Sequence, residues 1–203
     1  SHNPYIIPEK HKSKFPKGTT KIHESIAYSD FALKRFFETA SKQEWYKNTL
    51  FVVVADHTSA EPTEAKFKTN VGKFRIPILF FDPSNPELAG KNMKNLQQID
   101  VMPSVLDYLN IDTKMISYGK SYQSEKDFVV YYLDNIYHYI SGDFYLAFDG
   151  KKSLGLYNFK NDELLKTNLI KTEKAKAIEM EGFIKAYIQS FNERLIGNKL
   201  TIQ

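Results

Sequence analysis

Residues 50–55, LFVVVA, form an unbroken apolar run with three consecutive valines at its centre. A strand with one wet face would alternate apolar and polar residues. A run with no polar position predicts a strand covered on both faces, as in a parallel sheet flanked by helices. The run stops at Asp56 and His57. In open α/β sheets, ligands bind just beyond the carboxyl ends of the strands. A carboxylate and an imidazole at such a point are two metal-ligand types on a rigid mount. The alternative is that Asp56 caps the next turn and His57 is a surface loop residue.

The chain around this strand alternates in character. Residues 3–18 are rich in proline and lysine and read as an irregular loop. From Thr20, a candidate N-cap, a helical period begins that places Ile22, Ile26, Leu33 and Phe37 on one face. It runs to about Ser41. Past His57 a polar segment without periodicity extends through Lys73, and a loop of this length beside a strand end is often functional. Residues 75–81, RIPILFF, read as a second buried strand, with Pro77 near its start. In residues 98–109, Asp100 reads as an N-cap, Pro103 fits a first helical turn, and Val105, Leu106 and Leu109 form a stripe. Strand, helix, strand, helix is the order of an α/β layered fold.

After Gly119 the pattern changes. Residues 128–133, 136–141, 143–148 and 153–159 are short and rich in Tyr, Phe and Val. Turn residues separate them: Asp134 with Asn135, Ser141 with Gly142, Asp149 with Gly150. This predicts a small antiparallel meander, with His138 as a structural or surface residue. A last helix over 173–195 would bury Ile178, Ile184, Tyr187, Ile188, Phe191 and Leu195. The expected division is residues 1–118 as an α/β part and 119–203 as a β-plus-helix subdomain.

Composition narrows the chemistry. There is no cysteine, so disulfides, thiolate metal sites and a cysteine nucleophile are excluded within these residues. The formal charge of +4 comes from lysines interspersed with acids. That is a solvated surface rather than a nucleic-acid face, though it favours an anionic substrate or membrane surface. No run is long enough to cross a membrane as a helix.

Four segments together resemble one family. NTLFVVVADHT (48–58) is similar to a strand ending in a metal-binding Asp-His pair. FRIPILFFDP (74–83) resembles the next strand with its Arg-x-Pro entry. QIDVMPSVLDYLNI (98–111) resembles a helix that usually reads Asp-x-x-Pro-Thr-hydrophobic-Leu. LGLYNFKNDELLKTNLI (154–170) resembles a late hairpin. The opening SHNPYIIP (1–8) is similar to a segment carrying an active-site histidine. The family is the sulfatase-like branch of the alkaline phosphatase superfamily, in particular the bacterial phosphoglycerol transferases of the lipoteichoic acid synthase type.

The resemblance implies an alkaline-phosphatase-like sheet with helices, then the meander and final helix. It implies Asp56 and His57 as ligands of a divalent ion (manganese, magnesium, zinc or calcium). It gives His2 a catalytic and substrate-phosphate role, and Tyr5 a place lining the site. Transfer of phosphoglycerol or phosphoethanolamine to an envelope lipid or glycan is the implied chemistry. Sulfate-ester hydrolysis and a non-catalytic headgroup-binding domain are the alternatives. The family's nucleophile and remaining metal-binding carboxylates belong to an upstream region with no counterpart here. The expected setting is therefore a C-terminal fragment of a parent outside the cytoplasm, held to the membrane through its N-terminal part. Its expected partners are that upstream half and an anionic phospholipid or glycan, with no nucleic acid.

Overall fold

The tightest local instructions in the chain are its left-handed turn residues. Asp134 and Asn135 have φ of 53° and 61°, the pairing that a two-residue type I′ hairpin requires. Gly142 and Gly150 supply φ of 54° and 91° at the next two reversals. Four strands result: β3 (Phe128–Leu133), β4 (Ile136–Ser141), β5 (Phe144–Phe148) and β6 (Ser153–Asn158). They follow β1 (Phe51–Val54) and β2 (Ile78–Phe81), which are neighbours in a separate two-stranded sheet. The helices are α1 (Lys21–Ala40), α2 (Val101–Tyr108) and α3 (Lys174–Ile196). The computed structural model describes residues 4–59 and 62–202.

The chain divides into two compact units. One comprises Ser1–Val52 with Phe80–Gly90, the other Val53–Leu79 with Lys91–Gln203. In the first unit Phe51 is the centre of an aromatic cluster. The rings of Phe37, Tyr46 and Phe81 lie 5.1, 5.5 and 6.0 Å from it. Helix α1 starts where expected, with Thr20 as an extended N-cap residue, but the threonine hydroxyl makes no cap bond. The sequence period placed Ile26 and Leu33 on its packed face. Both are exposed, and the buried residues are Ile22, Ser25 and Ala40.

In the second unit the meander β3-β4-β5-β6 is antiparallel throughout. Its pleat sends alternate residues to two faces. On one face Tyr139, Leu146 and Leu156 are cross-strand neighbours and pack on Ala177, Met180 and Ile184 of α3. Leu146, Leu156 and Ile184 are fully buried, and each contributes about 1.5–3 kcal/mol by leaving water. On the other face Ile140, Tyr145 and Ala147 are covered by Val71, Tyr157, Phe159 and Leu165. Gly155 is required there, because a Cβ would lie 2.7 Å from the Tyr157 ring.

Two expectations fail in detail. On α3 the predicted Ile184 is fully buried and Tyr187 and Ile188 are half-buried, but Ile178, Phe191 and Leu195 are exposed, and Ala177 and Met180 complete the packed face instead. Strand β1 is not covered on both faces. Its residues are half-buried and Val54 is 39% exposed, since a two-stranded sheet gives it one hydrogen-bonded neighbour. Strand β2 is likewise open, with Leu79 exposed.

One polar group is buried by design of the backbone. Lys120 places its ammonium within 2.8 Å of Asp100 Oδ2 and donates to the Asn95 and Phe128 carbonyls at 3.0 and 2.9 Å. All three of its protons therefore have acceptors. Asp100 also accepts from the Gln97 and Lys120 main-chain N–H groups. So Asp100 precedes α2 as predicted, but its carboxylate turns back to this network instead of capping the helix. Gly119 permits the approach: a Cβ there would sit 2.3 Å from the Ile99 carbonyl.

Candidate metal-binding tip

Successive residues of a strand point to opposite faces. Two adjacent ligands can converge only if the strand has already ended. Strand β1 ends at Val54, and Asp56 and His57 lie in a bend. The bend is closed locally: the His57 main-chain N–H donates to Asp56 Oδ1 at 2.9 Å. His57 Nδ1 lies 2.7 Å from the Thr58 carbonyl, which can only accept, so Nδ1 carries the proton. That leaves the Nε2 lone pair free. It is 3.6 Å from Asp56 Oδ2.

This geometry fits one cation between the two groups. Donors held about 2.1 Å from a tetrahedral ion lie roughly 3.4 Å apart. The Nδ1–H bond to a main-chain carbonyl is the arrangement that usually fixes a metal-binding imidazole. The side chains are open to solvent, at 90% exposure for Asp56 and 71% for His57. Among the described residues no cluster of three or more His, Cys, Asp or Glu side chains could hold an ion. The pair is thus chemically suited as half of a four-ligand set.

The tip is held from two sides. Gln98 donates from Nε2 to the Ala55 and Asp56 carbonyls, both at 2.9 Å. The Thr58 hydroxyl donates to the Lys73 carbonyl at 2.6 Å. Neither contact has a local sequence signal, since both join residues distant in the chain.

Two further site residues were predicted, His2 and Tyr5. His2 lies outside the described residues. Tyr5 belongs to the first unit, half-buried, with φ of 59°, a backbone conformation rare for a bulky side chain. A cavity of about 610 Å³ lies in the second unit and shares only Gln98 with the contacts just described. Its lining carries no carboxylate, lysine, arginine or histidine; tyrosines and aliphatic side chains make up most of it. His138 is buried and structural: Tyr145 Oη is 2.7 Å from its Nδ1, and the Tyr131 ring stacks on it at 4.5 Å. Burial holds its pKa below the ordinary value and pushes the Tyr145 hydroxyl up to about 12.

The resemblance read from the sequence is now matched by comparison. Residues 1–111 match the family model described as Sulfatase. The lipoteichoic acid synthase of Staphylococcus aureus (strain USA300) is 26% identical over 195 residues, covering 87% of this chain and 29% of that protein. The chain thus spans less than a third of the curated relatives it matches. A solved alkaline phosphatase superfamily protein from Vibrio parahaemolyticus superposes with a TM-score of 0.77 at 22% identity, covering all of this chain and 48% of the other. The structure of Ps i-CgsB gives a TM-score of 0.70 at 16% identity, over 92% of this chain and 47% of that one. The α/β core with its antiparallel meander and final helix is thus shared with these solved structures. The chain belongs to the Sulfatase family.

Proposed function

We propose that this chain is the C-terminal part of a divalent-metal-dependent transferase that moves a phosphoglycerol or phosphoethanolamine group onto a cell-envelope lipid or glycan. Members of the family are enzymes, and superfamily members typically use divalent metals. The observation that carries the reading is the Asp56–His57 pair, with Oδ2 and Nε2 3.6 Å apart, in a chain similar to lipoteichoic acid synthase over most of its length. A bound divalent cation lowers the pKa of a hydroxyl nucleophile and neutralises charge on the transferred group. Asp56 supplies negative charge to the ion and His57 a neutral nitrogen. His2 contacts the substrate phosphate or protonates a leaving oxygen in this reading, and Tyr5 lines the site. The setting is outside the cytoplasm, with the membrane anchor in the parent; no helix among the described residues is long and apolar enough to cross a membrane.

The family-model match supports a second reading, sulfate-ester hydrolysis by the same metal tip. One experiment separates them. The full-length protein is incubated with manganese and either a phosphatidylglycerol or an aryl sulfate, and its peptides are mapped by mass. A glycerophosphate adduct on a threonine supports transfer; a formylglycine supports sulfatase chemistry; neither would leave a non-catalytic headgroup-binding domain. In the same protein Asp56→Ala and His57→Ala each abolish metal-dependent turnover. Wild-type rates in both would overturn the site.

A further inference from the structure

The segment after the metal tip is tied to the meander at several points. Asn70 is held twice. The Tyr131 hydroxyl donates to its main-chain carbonyl at 2.5 Å, and its own amide donates to the Tyr145 hydroxyl at 3.3 Å. The same Tyr145 hydroxyl lies 2.7 Å from His138 Nδ1. Four residues on, the Phe74 ring packs on the Tyr131 ring at 4.4 Å.

Between these anchors the backbone is knitted to itself. The Thr69 hydroxyl donates to the Lys66 carbonyl at 2.8 Å and accepts from the Gly72 N–H at 3.1 Å. Lys73 N–H donates to the Thr69 carbonyl at 3.0 Å, and Arg75 N–H to that of Gly72 at 3.1 Å. Gly72 lets the loop cross over itself, because a Cβ there would lie 1.9 Å from the Lys66 carbonyl. The Lys73 carbonyl is therefore a fixed point, and it is the one that receives the Thr58 hydroxyl. Thr58 in turn presents the carbonyl that takes the His57 Nδ1 proton.

We infer that the meander sets the orientation and tautomer of His57 through a strut: Tyr131 and Tyr145 clamp Asn70, the knitted loop fixes the Lys73 carbonyl, and Thr58 transmits that position to the imidazole. Asn70, Tyr131 and Thr58 are positioning residues. None is a ligand. Hydrogen bonds of this outer kind change metal affinity by about 10–100-fold in other sites. The consequence for metal binding rests on the proposed function; the orientation of His57 does not.

The test uses long-range ¹H–¹⁵N correlation spectra of the histidine side chains, first without metal. In the parent chain His57 shows the Nδ1–H form. Thr58→Val and Asn70→Ala shift it to a mixture of both tautomers, Tyr131→Phe does so in part, and Thr58→Ser restores it. The main-chain amide spectrum of the meander serves as the fold control, and Thr58→Val, which removes only an oxygen contact outside the meander, decides if Tyr131→Phe disturbs it. An unchanged His57 signature in both Thr58→Val and Asn70→Ala overturns the strut. A second arm titrates the full-length protein with Mn²⁺ alone by calorimetry, where Thr58→Val weakens binding by about tenfold. A tautomer shift with no Mn²⁺ bound even to the parent protein would uphold the strut and remove the metal reading. Tight Mn²⁺ binding untouched by Thr58→Val and Asn70→Ala would do the reverse.

Discussion

The two sheets of this protein differ in how they are sustained. The meander β3-β6 is covered on both faces by its own unit, and Leu146, Leu156 and Ile184 have no measurable exposure. The two-stranded sheet β1-β2 has no fully buried residue, although its sequence is the more uniformly apolar. The chemistry-bearing pair sits at the end of the less covered sheet. Burial follows the number of partners a strand has, and apolar composition only says how many it could use. The meander holds stability, while the tip is a place where side chains can change at little cost to folding.

Substitutions can break that contrast. The largest effect is expected from Lys120→Met, which strands the Asp100 carboxylate inside the protein. Loss of one partner of a buried pair costs about 3–5 kcal/mol, read as a fall in the denaturation midpoint. A loss under ~1 kcal/mol would show that the network adds little beyond its packing.

Next come paired truncations. Leu156→Ala, at a site with no exposure, should cost about 2–5 kcal/mol. Val54→Ala, at a site 39% exposed, should cost about 1 kcal/mol or less. Equal losses measured in urea would mean that the two sheets are equally covered in solution, and the contrast would fall.

The smallest effect is a pH dependence confined to the meander. Burial holds the His138 pKa below its ordinary value of 6.5; the Lys73 charge works in the same direction, while Asp134 and the Leu133 main chain oppose it. The unfolded chain therefore takes up a proton that the folded chain refuses. The stability is fully present above pH 6.5 and is lost as pH falls below that value towards the folded pKa. Calorimetric melting midpoints should drop between pH 7 and pH 5, and His138→Gln should flatten the slope in that window. An unchanged slope would assign the dependence to other groups.

Local signals were legible in the sequence and nonlocal ones were not. The meander boundaries fell within a residue or two of the expected ones because Asp134, Asn135, Gly142 and Gly150 each encode a reversal by themselves. The Asp56–His57 pair was legible for the same reason: its geometry is closed by bonds between adjacent residues. The packed face of α3 was read correctly at Ile184 and Ile188 but misassigned at its N-terminal end, because Ala177 and Met180 signal burial more weakly than Ile178, which is 74% exposed. Gln98, Asn70 and Lys120 act on residues 8 to 75 positions away, and no periodicity in their own neighbourhoods announces such contacts.

Gln98 has one more consequence. It grips Ala55 and Asp56 by their main-chain carbonyls, so the hold does not depend on which side chain stands at position 56. The seat and its occupant are therefore held by different atoms. A descendant could exchange the carboxylate for another donor, retune the ion it prefers, and still find the new group in the same place. A fold that anchors its reactive positions in this way can diversify its substrates without rebuilding its frame.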